Sequence, residues 1–262
     1  MEQEIIFFDI DGTLFSPVLG KITPRVKKSI EKVRSQGKLC FIASGRPYPF
    51  IADNVKEIGF DGYVLANGGE IRQDGRILKS ECLDYDEVKA FCHKLKEKGI
   101  EYALMTSEAA YLPESSRTML DYYSKCNIDY KNFIFDYEED DIFHKILKIE
   151  LWADSEDELE YVMKHCGTLA HELHADGKSM EFNSFQHSKA TGIHDVLKML
   201  HIPVENSYCF GDGPNDVEMF ETVGHPFAMG NALDIIKEKA EAVCPDVLDD
   251  GVAVKLQELF DI

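Results

Sequence analysis

Two carboxylates follow directly on the first apolar run of the sequence. Asp9 and Asp11 come after the apolar residues 5–8, and Gly12 lies behind them. An apolar run bounded by turn residues is typical of a strand buried on both faces in a parallel sheet, and open α/β sheets place their chemistry at the carboxyl ends of such strands. Two like charges this close are costly unless a cation or a proton offsets them. The pattern therefore predicts a divalent metal, a carboxyl group that is protonated in function, or both.

Three further segments carry groups that suit a phosphate or a cation. They are Ala43-Ser44-Gly45-Arg46, Ser188-Lys189-Ala190 and Gly211-Asp212-Gly213-Pro214-Asn215-Asp216. Asp212 and Asp216 offer the oxygen ligands that Mg²⁺ prefers, and Asn215 could hold a phosphate or orient Asp212. Ser44 could donate its hydroxyl to a phosphate oxygen, with the next backbone amide beside it, or cap a helix. Lys189 could neutralise phosphate and nucleophile together as a point charge, or be an ordinary solvated lysine.

These four segments, in this order, resemble motifs of the haloacid dehalogenase-like superfamily. Phe8-Asp9-Ile10-Asp11-Gly12-Thr13-Leu14 is similar to the first motif of its phosphatase branch. The Gly211 to Asp216 loop, followed by Ala228-Met229-Gly230-Asn231-Ala232 and Asp250-Gly251-Val252, resembles the Cof-type subfamily in particular. The resemblance implies a Mg²⁺-dependent phosphatase that hydrolyses small phosphomonoesters, sugar phosphates or related metabolites.

Phosphoryl transfer through a covalent intermediate needs a nucleophile, an acid for the leaving oxygen and cations for the equatorial oxygens. Asp9 fits the nucleophile that becomes an aspartyl-phosphate, and Asp11 fits the acid and base. The resemblance makes Asp9 and Asp212 direct metal ligands, adds the backbone carbonyl of Asp11, and gives Asp216 an outer or water-mediated role. It also predicts groups that act on the phosphate. Ser44 and Lys189 are expected to be catalytic, and the substrate-binding set is Gly12, Ser44, Gly45, Arg46, Lys189 and Asn215.

Three other functions fit part of this pattern. A phosphomutase uses the same two aspartates to return the phosphoryl group to a sugar. A phosphoacceptor signalling module also combines an acidic cluster, a phosphorylated aspartate and a lysine on a parallel sheet, but it does not need an acid such as Asp11 beside its nucleophile. A non-catalytic phosphate-binding protein is the third, although no motif position is visibly degraded.

The pattern of strands and helices indicates what positions these groups. Strand and helix alternate from Met1 to about Ser80 and again from Gln186 onward, as in a doubly wound parallel sheet. Thr23-Pro24 predicts a helix start, and Asp74-Gly75 predicts a hairpin turn. We therefore expect an α/β fold with a mostly parallel, Rossmann-like core formed by residues 1–80 and 186–262.

Residues 81–185 have a different pattern, which predicts an insertion between the two halves of the core, and the resemblance implies that this insertion is an α/β cap domain. Asp84-x-x-Glu87 and Ser155-x-x-Glu158 are typical of capping boxes at helix starts. Apolar and polar residues alternate over the stretch 147–152, as expected of a strand with one buried face in an antiparallel sheet. Asp176-Gly177 indicates another hairpin. Cof-type relatives carry such a cap at this place, and we expect it to set substrate specificity.

Composition limits the possible partners and location. The 262 residues carry a net charge of -20 and are 44% hydrophobic, so the chain has ample material for a core and would repel nucleic acid and anionic lipid. The seven cysteines form no Cys-x-x-Cys pair, which suits reduced thiols in the cytosol. No segment reaches the apolar length of a membrane span. We expect a soluble, cytoplasmic protein whose partner is a small phosphorylated metabolite.

Overall fold

The structure is a computed structural model that describes residues 3–126, 128–174 and 176–262. The strands of the described chain are β1 (Ile5–Phe8), β2 (Leu39–Ala43), β3 (Gly62–Leu65), β4 (Glu70–Gln73), β5 (Arg76–Ser80), β6 (Glu101–Met105), β7 (Ala110–Tyr111), β8 (Phe133–Ile134), β9 (Lys148–Trp152), β10 (Ala170–Leu173), β11 (Ser179–Asn183), β12 (Ser207–Gly211), β13 (His225–Ala228) and β14 (Ala242–Val243). The helices are α1 (Pro24–Ser35), α2 (Asp53–Lys56), α3 (Tyr85–Lys98), α4 (Arg117–Lys125), α5 (Glu139–Ile142), α6 (Glu156–His165), α7 (Lys189–Leu200), α8 (Val217–Thr222), α9 (Asp234–Lys239) and α10 (Gly251–Phe260).

The chain divides into two compact units. The first comprises the chain up to Gly45 together with Ala52–Lys79 and His187–Ile262, and the second comprises Arg46–Ile51 and Ser80–Gln186. This division differs from the expected core at residues 46–51 and, by one residue each, at Ser80 and Gln186. Residues 46–51 group with the second unit because the Phe50 ring packs in an apolar cluster of that unit. Its centroid lies 5.2 Å from that of the Tyr123 ring and 5.5 Å from that of the Phe133 ring.

The first unit is built on an eight-stranded sheet with the order β14-β13-β12-β1-β2-β3-β4-β5. The pairs from β14 to β3 are parallel, and β4 is antiparallel to β3. All four residues of β1 are fully buried, as its apolar run predicts. Helix α1 packs against α10, and α7 packs against α8. The predicted α/β fold with a doubly wound, mostly parallel sheet is confirmed.

The predicted helix start and the predicted hairpin turn are both present in the first unit. The Thr23 side chain accepts a hydrogen bond from the Val26 amide at the start of α1, and Pro24 is the first helical residue. Asp74 and Gly75 join β4 to β5 with φ angles of 51° and 74°. Both angles are positive, as the predicted two-residue hairpin turn requires.

The second unit contains a six-stranded sheet with the order β10-β11-β9-β6-β7-β8, antiparallel except for the pair β7 and β8. Helices α3 and α6 supply apolar residues to a core with the sheet, among them Phe91 and Val162. Asp84 accepts from the Glu87 amide at 3.0 Å, but the Glu87 carboxylate accepts from Thr168 instead of completing the capping box.

The expectation that β9 has one exposed face is wrong. Lys148 and Glu150 alternate with the apolar residues of this strand and are 3% and 8% exposed. The Lys148 ammonium lies between the carboxylates of Glu150 and Glu181, and the Tyr123 hydroxyl of α4 donates to Glu150 at 2.8 Å. Ion pairing and hydrogen bonding therefore offset the burial of these charges.

No helix in the part of the chain that the structure describes is long and apolar enough to cross a membrane.

Candidate active site

The carboxyl ends of three neighbouring strands position the predicted motifs. Strand β1 lies between β2 and β12, and Phe8 is in register with Ile42 and Phe210. The residues that follow these strands are therefore neighbours at one edge of the sheet. Asp9 continues the pairing, since its amide donates to the Phe210 carbonyl at 3.0 Å. The first motif and the Gly211 to Asp216 loop thus meet through the backbone.

Lys189 joins two of the predicted carboxylates. Its Nζ lies 2.6 Å from Asp9 Oδ1 and 2.6 Å from Asp216 Oδ1, and the residue is 1% exposed. Ser188 caps helix α7 in a reciprocal box with Thr191, which makes Lys189 the first residue of the helix. Burial would lower the pKa of Lys189, but Asp216 and Asp9 outweigh it and raise the pKa. The lysine is a buried, ionised point charge, so the solvated alternative is wrong.

Asp216 holds the loop after β12 as well as the lysine. Its Oδ2 accepts from the amides of Asp212 at 2.9 Å and Gly213 at 3.0 Å, and the residue is fully buried. A Cβ on Gly211 would lie 2.6 Å from Asp216 Oδ2, so only glycine fits there. Because both oxygens of Asp216 already have partners, this carboxylate is placed to orient Lys189 and the loop.

The Asp212 carboxylate is held against the first motif. Thr13 Oγ1 donates to Asp212 Oδ1 at 3.0 Å. Gly12 has a φ of 85°, and a Cβ there would lie 2.1 Å from Asp212 Oδ2, so this close approach requires glycine. Burial, with the nearby Asp216 carboxylate, raises the pKa of Asp212 to about 6. A cation at this position would favour its ionised form.

Three carboxylates at this edge converge on one point. Asp9, Asp212 and Asp216 each offer an oxygen, and these oxygens lie within 4.8 Å of one another, the one such group among the described residues. Burial raises the pKa of Asp9, while the Lys189 ammonium acts to lower it. The negative charges of Asp216, Asp11 and Asp212 raise it further. An all-oxygen, negatively charged donor set is what a hard divalent cation such as Mg²⁺ requires, so the residues fit that ion. The exposed Asp11 side chain is not in this group.

Ser44 and Asn215 approach the same edge from two loops. Ser44 is 2% exposed, and its amide donates to the Val64 carbonyl at 2.9 Å. A Cβ on Gly45 would lie 2.9 Å from Asn67 Oδ1 and 3.5 Å from Asn215 Nδ2, which places the Asn215 amide beside Gly45. No helix starts at Ser44, since the next helical turn begins at Tyr48. The alternative that Ser44 caps a helix is therefore wrong.

Arg46 belongs to the second unit, and its Nη1 donates to the Phe50 carbonyl at 3.2 Å.

Two residues with contacts in the site received no role from the sequence. Thr13 contacts Asp212, and Asn231 Nδ2 donates to the Gly12 carbonyl at 2.8 Å. Both lie within quoted motifs, but nothing in the spacing indicated that their side chains reach across the chain to these partners.

A model of the haloacid dehalogenase-like hydrolase family matches residues 6–256. The chain belongs to this family. YkrA of Bacillus subtilis (strain 168) is 29% identical over 99% of the chain and 98% of its own length. From the same organism, 5-amino-6-(5-phospho-D-ribitylamino)uracil phosphatase YcsE is 25% identical over 97% of the chain and 94% of its own length. The predicted family and enzyme class, a phosphatase of the haloacid dehalogenase type, are confirmed.

Solved structures share the fold over the full length. A protein from Geobacillus kaustophilus HTA426 superimposes with a TM-score of 0.87 at 27% identity, covering 99% of this chain and 100% of that one. The subclass IIB sugar phosphatase BT4131 superimposes with a TM-score of 0.82 at 22% identity, covering 99% of this chain and 100% of that one. At 22% identity, the likeness to BT4131 shows a shared fold and nothing more.

Proposed function

We propose that this phosphatase is Mg²⁺-dependent and hydrolyses small-molecule phosphomonoesters, sugar phosphates or related metabolites, through an aspartyl-phosphate on Asp9. One observation carries the proposal. A buried lysine ammonium lies 2.6 Å from Asp9 Oδ1 at the carboxyl edge of the sheet, inside a group of three carboxylates. A nucleophilic carboxylate that approaches an anionic phosphate needs such a cation to reduce repulsion.

The reaction takes two displacements at phosphorus. Asp9 attacks the phosphorus, the bond to the ester oxygen breaks, and Asp11 gives its proton to the leaving alcohol. The ionised Asp11 then takes a proton from water as the water oxygen attacks the aspartyl-phosphate. The Asp9–phosphorus bond breaks, inorganic phosphate leaves, and both aspartates return to their starting states. Lys189 stays within hydrogen-bond distance of Asp9 and stabilises its ionised form.

Some of the residues around Asp9 would bind the metal ion, and others would bind the phosphate. Asp9 and Asp212 would hold Mg²⁺ with the backbone carbonyl of Asp11, and Asp216 would act without direct contact with the ion because Lys189 and two amides engage its oxygens. The bound cation would neutralise charge on the transferred phosphoryl group. For the phosphate we propose Gly12, Ser44, Gly45, Arg46, Lys189 and Asn215.

Chemistry and relatives together support the proposed substrate class. YcsE is named for a phosphorylated ribitylamino-uracil, and BT4131 for a sugar phosphate. Both substrates are small polyhydroxylated phosphomonoesters, and we propose the same class here. The unit formed mainly by residues 80–186 would act as the cap that selects among them. We also propose a cytoplasmic location, in keeping with cysteines that form no disulfide among the described residues.

A panel of phosphorylated metabolites tests this function. Phosphate release should require Mg²⁺, should be lost in EDTA and should fall by more than about a thousandfold in Asp9→Asn, whose amide is nearly isosteric but a poor nucleophile. The Asp136→Asn variant, which changes an exposed carboxylate, is the matched control. Isomerised sugar phosphate in place of free phosphate would indicate a phosphomutase. A long-lived phosphoprotein without turnover would indicate a signalling module.

A further inference from the structure

Asn231 links three separate segments at the metal-binding edge of the first unit. Its Nδ2 donates to the Gly12 carbonyl at 2.8 Å and lies 3.4 Å from Asp212 Oδ2. Its Oδ1 accepts from the Val247 amide at 3.0 Å. One side chain therefore contacts the turn after β1, the loop after β12 and the segment before α10.

The partners define one orientation of the Asn231 amide. The Gly12 carbonyl can only accept a hydrogen bond and the Val247 amide can only donate one, so Nδ2 must face Gly12 and Oδ1 must face Val247. This orientation directs an N–H towards Asp212 Oδ2. The contact is long for a hydrogen bond, but the positive end of the N–H dipole faces the carboxylate, which favours the ionised form of Asp212.

These contacts complete a ring around the Asp212 carboxylate. Thr13 Oγ1 donates to Asp212 Oδ1, the backbone joins Thr13 to Gly12, and Asn231 connects the Gly12 carbonyl back to Asp212 Oδ2. Each oxygen of Asp212 thus has a donor on one side. A metal-binding carboxylate whose orientation is already set loses less conformational entropy when the ion binds.

We propose that Asn231 is a positioning residue that fixes the Asp212 carboxylate and the Gly12 turn for divalent cation binding. The inference rests on the proposed function, and it assigns to Asn231 no contact with substrate. Residues that orient a ligand through hydrogen bonds typically change metal affinity by about 10- to 100-fold when they are removed. The expected effect of Asn231→Ala is a loss of Mg²⁺ affinity within that range.

Two variants separate positioning from a purely structural link to Val247. Asn231→Asp keeps an acceptor for the Val247 amide but presents oxygen to Gly12 and Asp212. Val247→Pro removes the backbone N–H that donates to Asn231 Oδ1 and leaves the Asn231 side chain itself unchanged. Proline suits this site because Val247 begins a helical turn and the preceding Asp246 is extended, with ψ of 156°.

Calorimetric titration of metal-free protein with Mg²⁺ tests the inference without any substrate. We expect Asn231→Ala and Asn231→Asp to bind Mg²⁺ at least about tenfold more weakly than wild type, and Val247→Pro to stay within about threefold. Thermal melts in EDTA confirm that each variant is folded. Wild-type affinity in both Asn231 variants, or an equal loss in Val247→Pro, overturns the positioning role. Absence of Mg²⁺ binding in wild type overturns the proposed function and this inference with it.

Discussion

Replacing Asp212 with asparagine should stabilise the metal-free protein while it removes activity. Burial, with the nearby Asp216 carboxylate, raises the pKa of Asp212 to about 6, against an ordinary value of 3.8. At about 1.4 kcal/mol for each tenfold change in acidity, ionising this group costs the folded state about 3 kcal/mol at pH 8. The introduced asparagine would carry no charge and could still accept the hydrogen bond from Thr13. Its amide would face the Asn231 amide, which forfeits about 1 kcal/mol.

The net gain is about 2 kcal/mol, or roughly 4–8 °C in melting temperature for a chain of this size. The sign follows from proton binding. Because the folded state binds more protons than the unfolded state between pH 3.8 and about 6, ionised Asp212 lowers stability as the pH rises through that window. The advantage of Asp212→Asn should therefore be complete above about pH 6 and should shrink below it.

Thermal melts in EDTA at pH 8 and at pH 5 measure this effect, with the exposed Asp136→Asn as a control for net charge. Adding Mg²⁺ should raise the melting temperature of wild type and leave the Asp212→Asn variant nearly unchanged, since a ligand that binds only the folded state stabilises it. A metal-free Asp212→Asn protein that melts at or below the wild-type temperature at pH 8 would refute the reasoning.

Three further predictions address other ionisable groups. Asp11→Asn should slow alkyl phosphates more than aryl phosphates, because aryl leaving groups need little protonation; equal losses in steady-state rates would count against Asp11 as the acid. Lys189→Ala should lower the free energy of unfolding in EDTA by about 3–5 kcal/mol, since it leaves two buried carboxylates without their cation; a urea midpoint like that of wild type would contradict this. His174, whose pKa is raised chiefly by its hydrogen bond to Glu181, should contribute stability that is present below about pH 6.5 and is lost as the pH rises through its folded pKa. His174→Gln should flatten that part of the stability profile, and an unchanged profile would exclude the effect.

The sequence predicted those features that depend on local pattern. The buried strand β1, the Asp74-Gly75 turn and the helix start at Thr23 each follow from residues close together in the chain. The carboxylate group was predictable as well, because parallel strands bring their carboxyl ends to one edge whatever lies between them. Asp9 and Lys189 are 180 residues apart and yet form an ion pair there.

Features that depend on distant packing were not predictable. Lys148 and Glu150 alternate with apolar residues as exposed charges do, and their burial depends on distant partners that include Glu181 and Tyr123. Residues 46–51 follow a core strand, yet the ring of Phe50 packs in the second unit. Periodicity reports which residues share a face, and it does not report what covers that face.

Chemical trapping of the covalent intermediate tests the central claim most directly. Borohydride reduces an acyl phosphate to an alcohol, so reduction during turnover with Mg²⁺ should convert Asp9 to homoserine, which peptide mass spectrometry detects. We predict that this modification appears only with substrate and Mg²⁺ and is absent from Asp9→Asn. Turnover without any reduction at Asp9, or homoserine at another aspartate, would contradict the proposed mechanism.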